Sequence, residues 1–165
     1  MGLKEYIKPE NIENHYTKEE MVLNLLPLVE IDENDSVLDA GSGLNKVWYK
    51  NINCKTKYEC ELEEGMDFYK WDKKVDWVVG NPPFSHAKDF LLKASEISNK
   101  GIAFLVNNNC FNSFLLPSRL EKLRQRGFYI NKIKVVNDKR WFGRYYFVIF
   151  TRKENYFIEY ELKTF

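Results

Sequence analysis

The stretch VVGNPPFSHAKDF, Val78 to Phe90, decides how this sequence is read. It joins an apolar run, VDWVV (75–79), to Asn81-Pro82-Pro83-Phe84 and then to a segment of helical spacing. Two successive prolines offer no backbone N–H and hold φ near −65°, so a buried strand has to end there. Downstream, HAKDFLLKASEIS (86–98) sets Ala87, Phe90, Leu91, Ala94 and Ile97 three and four residues apart, the period of a helix with one buried face. The unit is strand, rigid corner, helix. A strand terminator accounts for the prolines, but not for the amide before them or the aromatic ring after them.

The same alternation extends in both directions. KEEMVLNLLPLVE (18–30) has helical spacing with Thr17 as its candidate N-cap, and SVLDA (36–40) is a short buried strand. LNKVWYKNI (44–52) reads as a helix, TKYECEL (56–62) as a strand, and GMDFYKW (65–71) as a third, very short strand. GIAFLV (101–106) is a strand, and PSRLEKLRQRG (117–127) is a helix with proline at its start and glycine at its end. YINKIKVV (129–136) and RYYFVIFTR (144–152) close the sheet, and YFIEYELK (156–163) is a candidate edge strand. Such alternation predicts one α/β domain over residues 1–165 with a mostly parallel sheet. The last two strands are too close in sequence for a crossover helix and should pair antiparallel.

Composition narrows the partners. Of 165 residues 44% are hydrophobic, enough for a real core, and the formal net charge of +1 gives no global field toward a polyanion. Cys54, Cys60 and Cys110 show no C-x-x-C spacing, which fits reduced thiols in a cytoplasmic protein. The N-terminal segment has no apolar signal region, and no run suits a membrane span. No histidine, cysteine or carboxylate cluster has metal-ligand spacing.

Several residues at the strand ends carry chemistry. Asp39-Ala40-Gly41-Ser42-Gly43 ends the first strand, where glycines let the backbone turn tightly and approach a ligand. Glu61, twenty residues after Gly41, is placed to grip a ribose diol, with Glu59 on the same strand face as its competitor. Leu44-Asn45 follow the loop instead of a third glycine, which favours a nucleoside with an amino-acid tail over a pyrophosphate. Asp67-Phe68 suits an adenine amino group and ring nitrogen, or else is a turn aspartate beside a core phenylalanine. Asn81 and the Pro82 carbonyl form two rigid acceptors for a planar amine, and accepting both its protons directs the nitrogen lone pair at an electrophilic carbon. Phe84 offers a ring face to a base taken out of its stack.

These residues resemble class I S-adenosylmethionine-dependent amino-methyltransferases, which carry [DNS]-P-P-[YFW] at this place. The resemblance covers nearly the whole chain. It implies a Rossmann-like, seven-stranded, mostly parallel sheet with a C-terminal antiparallel hairpin and helices on both faces. It also implies S-adenosyl-L-methionine as cofactor, contacted by Tyr16 and Thr17 of Asn-His-Tyr-Thr-Lys (14–18), by Asp39, Gly41 and Gly43, by Glu61, Asp67 and Phe68, and by Asn81. Asn81, Pro82, Pro83 and Phe84 match the catalytic motif, and the motif order resembles bacterial and phage adenine-N6 DNA methyltransferases. The implied activity is methyl transfer to the N6 amine of adenine in DNA. The alternatives are adenine-N6 or guanine-N2 methylation of ribosomal or transfer RNA, or a non-catalytic nucleic-acid-binding subunit. The phenylalanine argues against the protein-glutamine branch, and the absence of a Pro-Cys pair argues against C5-cytosine chemistry.

The sequence departs from many DNA methyltransferases in leaving little room for a target-recognition domain. Short loops or a partner subunit would then read the substrate, or the enzyme would act on a structured RNA or on single strands. Lys139, Arg140 and Arg144 around Trp141, with Lys88 after the catalytic loop, suit phosphate contact plus stacking. Lys93 and the helix residues Arg119, Lys122, Arg124 and Arg126 add to that basic set, unless they are a solvated face. Asn107-Asn108-Asn109 lines the site or caps the next turn, and His15 and His86 flank expected pockets.

Overall fold

The computed structural model describes residues 17–140 and 143–164. Helix α1 (Glu19–Leu25) runs into a 3-10 turn at Leu26–Leu28, where Pro27 tightens the last turn. Strand β1 (Ser36–Ala40), helix α2 (Val47–Asn51), strands β2 (Thr56–Cys60) and β3 (Val75–Gly80), helix α3 (Ala87–Ile97) and strand β4 (Ser98–Asn107) follow. Two helices, α4 (Asn108–Phe114) and α5 (Pro117–Gln125), precede strands β5 (Tyr129–Val136) and β6 (Tyr145–Thr151). The sheet order is β2-β1-β3-β4-β6-β5. The first four of these pair parallel, and β6 runs antiparallel between β4 and β5, as the short final connection requires.

Period-two alternation gives the sheet two buried faces. Leu38, Val78, Ile102, Phe104, Val148 and Phe150 pack with Leu91 and Ala94 of α3, Phe114 of α4 and Leu123 of α5. Val37, Trp77, Val79, Ala103, Leu105 and Phe147 pack on the opposite side with Val22 and Leu25 of α1 and Trp48 of α2. A sheet covered on both faces reads as near-continuous apolar strands, which is why β3 and β4 stood out in the sequence.

Several expectations are corrected. The described residues form six strands, because 65–71 is not one. Gly65 is left-handed (φ 82°), and Asp67 accepts from the Tyr69 N–H at 2.9 Å to cap a 3-10 turn at Phe68–Lys70. That turn puts Phe68 into the core against Phe90, with ring centroids 4.6 Å apart, so the stretch serves packing instead of a ladder. The segment 156–163 forms no edge strand either. Side chains hold it: Asn155 Nδ2 donates to the Ile130 carbonyl, the Arg124 guanidinium lies 4.6 Å from the Tyr156 ring centre, and Tyr160 donates to Glu121. Thr17 does not cap α1. The cap position is Lys18, without a side-chain bond, and Thr17 Oγ1 accepts from Trp48 Nε1 at 3.3 Å. Helix α2 starts only at Val47, since Gly41–Lys46 is turn. Helix α4 was not anticipated. No helix among the described residues is long and apolar enough to cross a membrane.

Candidate active site

Strand order reverses between β1 and β3: the chain leaves β1 for β2 on one side and reaches β3 on the other. The loops at their carboxyl ends diverge and leave a crevice, the usual ligand position in open α/β sheets. Here the crevice is a cleft of about 390 Å³. Gly41, Ser42 and Gly43 form one wall, Glu61 to Tyr69 the second, and Asn81, Pro82, Pro83 and Phe84 the third. Three separate motifs of the sequence therefore line one space.

Backbone conformation explains the glycines. Gly41 and Gly43 are left-handed (φ 71° and 65°), and a Cβ on Gly41 would stand 3.3 Å from the Phe90 ring. Gly80, at φ 142°, brings the end of β3 against β1, where a Cβ would lie 3.0 Å from both the Ala40 carbonyl oxygen and Asp39 Oδ1. This approach sets Asn81 beside the glycine loop.

Asp39, Glu59 and Glu61 are held in different ways. Asp39 is fully buried; its Oδ2 accepts from the Tyr49 N–H at 3.0 Å, and Oδ1 has no hydrogen-bond partner among the described residues. Burial pushes its pKa up to about 8 against the pull of that N–H, with the Glu59 and Glu61 charges adding to the rise. Glu59 is engaged on both oxygens, by Ser42 Oγ at 2.7 Å and Lys46 Nζ at 2.8 Å, and does not line the cleft. Glu61 does line it, and its Oε2 accepts from the Gly43 N–H at 2.7 Å, linking the glycine loop to the second wall.

Beyond β3 the corner is stiff. The Pro83 carbonyl accepts from the His86 N–H at 3.0 Å, closing a 3-10 turn at Phe84–His86 that feeds α3. Asn81 is half-buried with its Oδ1 out of solvent. The half-buried Phe84 ring packs against both core layers, 6.1 Å from the Tyr145 ring, while Cys110 Sγ donates to its carbonyl. Thr17, Asp67, Phe68 and His86 also line the cleft; Tyr16, His15 and Trp141 lie outside the described residues.

Comparison with known proteins then identifies the architecture. No family model matches the sequence, and no curated protein matches it. Among solved structures, the 23S rRNA methyltransferase ErmE superposes with a TM-score of 0.65 at 12% identity, over 87% of this chain and 71% of that one. A dimethyladenosine transferase from Plasmodium falciparum gives 0.59 at 15% identity, over 80% and 60%. Magnesium protoporphyrin IX methyltransferase from Synechocystis PCC 6803, with bound SAH, gives 0.58 at 12% identity, over 82% and 83%. The chain has the class I methyltransferase fold.

Within this fold the expected basic residues divide. Lys88, Lys139 and Arg144 are exposed. Arg140 is instead clamped on Asp138, with Nη2 2.6 Å from the buried carboxylate. Arg126 bonds Ser95, Leu92 and Glu96, Arg119 bonds Ser113, and Arg124 lies among Tyr129, Tyr156 and Tyr160. Arg119, Arg124 and Arg126 therefore fasten helices and tail, leaving Lys122 exposed on α5. Asn107 caps α4, its Oδ1 accepting from the Cys110 N–H at 2.9 Å, and does not line the cleft. Leu62, Met66 and Tyr69, exposed apolar groups on the second wall, also line the cleft and are not among the expected site residues. Their only signal was apolar character in an acidic turn.

Proposed function

We propose that this chain is an S-adenosylmethionine-dependent methyltransferase acting on the N6 amine of adenine in nucleic acid, with RNA ahead of DNA. The observation that carries the reading is the continuous cleft from Gly41–Gly43 past Glu61 to Asn81-Pro82-Pro83-Phe84. Its volume suits a nucleoside with an amino-acid tail. Left-handed glycines allow close backbone approach, Glu61 is the acid of the pair that lines the cleft and is the candidate ribose acid, and apolar walls suit an adenine ring. S-adenosylmethionine, when bound, supplies an electrophilic methyl group.

The chain's own residues prepare the acceptor. Asn81 Oδ1 and the Pro82 carbonyl accept the two amine protons, which removes the lone pair from ring conjugation and aims it into the cleft. The proline corner fixes both acceptors, so little reorganisation accompanies reaction. Phe84 stacks the base. The likeness to ErmE and to the Plasmodium transferase supports an RNA adenine over the DNA adenine that the motif order suggests.

Incubation with labelled S-adenosylmethionine and separate RNA and DNA pools, followed by mass spectrometry of the nucleosides, tests the proposal. N6-methyladenosine in RNA is the expected product. Label confined to DNA adenine supports the DNA reading, and label on guanine N2 or on no nucleic acid overturns the adenine assignment. Cofactor binding without transfer to either pool would favour a non-catalytic subunit.

A further inference from the structure

Lys46 is the one non-glycine residue with positive φ among the described residues (φ 51°, ψ 41°). Lysine has no short polar side chain to stabilise that conformation locally, so longer-range contacts must hold it. Its ammonium group supplies them, standing 2.8 Å from Glu59 Oε1 and 2.7 Å from Glu64 Oε2. These carboxylates lie on different pieces of chain: Glu59 in β2, and Glu64 in the 3-10 turn Leu62–Glu64 of the second wall. Glu59 also accepts from Ser42 Oγ at 2.7 Å, so one carboxylate holds both Ser42 and Lys46, near opposite ends of the glycine loop. Neither Lys46 nor Glu59 lines the cleft, whereas Ser42, Gly43, Leu62 and Met66 do.

We infer that Lys46 is a positioning residue that ties the glycine-loop wall of the cleft to the Glu61–Met66 wall, with Glu59 as its anchor. This rests on the cofactor reading above for the ligand concerned. A loop held in its binding geometry before the ligand arrives loses less conformational entropy on binding, so the ion pairs act through preorganisation. The Lys46 and Glu59 side chains are 27% and 14% exposed, and Glu64 is 36% exposed. Salt therefore reaches the clamp, and cofactor affinity should depend on ionic strength through groups that do not touch the cofactor.

The test compares the parent protein with Lys46→Met, Lys46→Arg, Glu59→Gln and the Lys46→Met/Glu59→Gln pair. Methionine keeps the backbone strain and most of the stem, so its difference from the parent reads the ammonium group. Calorimetry with S-adenosylmethionine at low salt should show a loss of about three- to tenfold in affinity for Lys46→Met and for Glu59→Gln. Lys46→Arg should keep most of the affinity, and the pair should lose less than the product of the single losses, as members of one network do. Raising the salt should weaken the parent protein and leave Lys46→Met nearly unchanged. Hydrogen exchange on the ligand-free proteins should show faster exchange at 41–46 and 62–66 in Lys46→Met. Parental affinity and exchange in Lys46→Met would overturn the inference. A parent protein that fails to bind S-adenosylmethionine would overturn the cofactor reading instead, and the exchange comparison would still decide whether Lys46 joins the walls.

Discussion

Asn81 lines the cleft, whereas Asp39 is fully buried and does not. If the rigid acceptor pair orients the amine, Asn81→Ala should bind cofactor nearly as the parent does while turnover falls by about 10²–10³. Single-turnover methyl transfer beside calorimetry checks this, and near-parental turnover would remove Asn81 from the mechanism. Glu61→Ala deletes the carboxylate that bridges the walls and lines the cleft; if it grips the ribose, cofactor affinity should drop about tenfold to a hundredfold. Asp39 has a pH signature. Its pKa rises from 3.8 to about 8 on burial, so the folded state holds its proton more tightly than the unfolded chain. The stabilisation is fully present below about pH 3.8 and is lost as pH rises toward about 8. Denaturant titrations across this range should show the parent losing stability relative to Asp39→Asn, with the gap levelling off above pH 8. A gap that does not change with pH would mean that Asp39 is not held protonated.

At the level of elements, packing leaves no room for an added side chain where β3 meets β4. Gly101 is where the Trp77 ring crosses the sheet face, and an added Cβ would fall 2.2 Å from Trp77 Cζ3 and 2.7 Å from the Phe150 carbonyl oxygen. Trp77 has little freedom to retreat, being buried with its Nε1 bonded to Asp35 at 3.2 Å. Gly101→Ala should cost about 1–3 kcal/mol by overpacking, measured by chemical denaturation. A neutral result would mean that the indole moves aside at no cost. The unanticipated α4 is an element-scale effect too. Asn107 ends β4 and caps the next helix, and Phe111 stacks on Tyr146 of β6 at 4.2 Å, so the helix forms where tertiary contacts receive it. Its sequence, NNCFNSF, has little helix propensity.

For the whole molecule, the partition of the basic residues is what matters for a nucleic-acid substrate. Lys88 is exposed beside the Asn-Pro-Pro-Phe corner, whereas Arg140 neutralises a nearly buried Asp138. Lys88→Ala should lower the salt slope of nucleic-acid binding by about 1 and leave stability within about 0.5 kcal/mol. Arg140→Ala should instead cost about 1–3 kcal/mol of stability, because it takes the guanidinium away from a nearly buried carboxylate. Filter binding across a salt series, with melting curves for both proteins, separates these roles. If Arg140→Ala changes the slope but not the melting curve, the Asp138 contact contributes little and Arg140 faces the polyanion.

The sequence by itself determined the strand–corner–helix units, the antiparallel closing pair and the three motifs that meet in the cleft. Each is written locally: apolar runs of strand length, prolines that must end them, and glycines where the chain turns. It fixed neither the fate of 65–71 nor which of Glu59 and Glu61 lines the cleft. The first depended on whether Phe68 found a core partner, and Phe90, more than twenty residues away in sequence, supplied one. The second depended on which carboxylate Lys46 and Ser42 reached, and two acids on one strand face look alike until those partners fold over one of them. The same holds for Arg119, Arg124 and Arg126, whose partners on Ser95, Ser113 and the C-terminal tyrosines come from other elements. Periodicity and turn chemistry act over a few residues and survive in the sequence. The pairing of charges and rings is decided by which distant surfaces the completed sheet brings within about 4 Å, and only the tertiary structure holds that information.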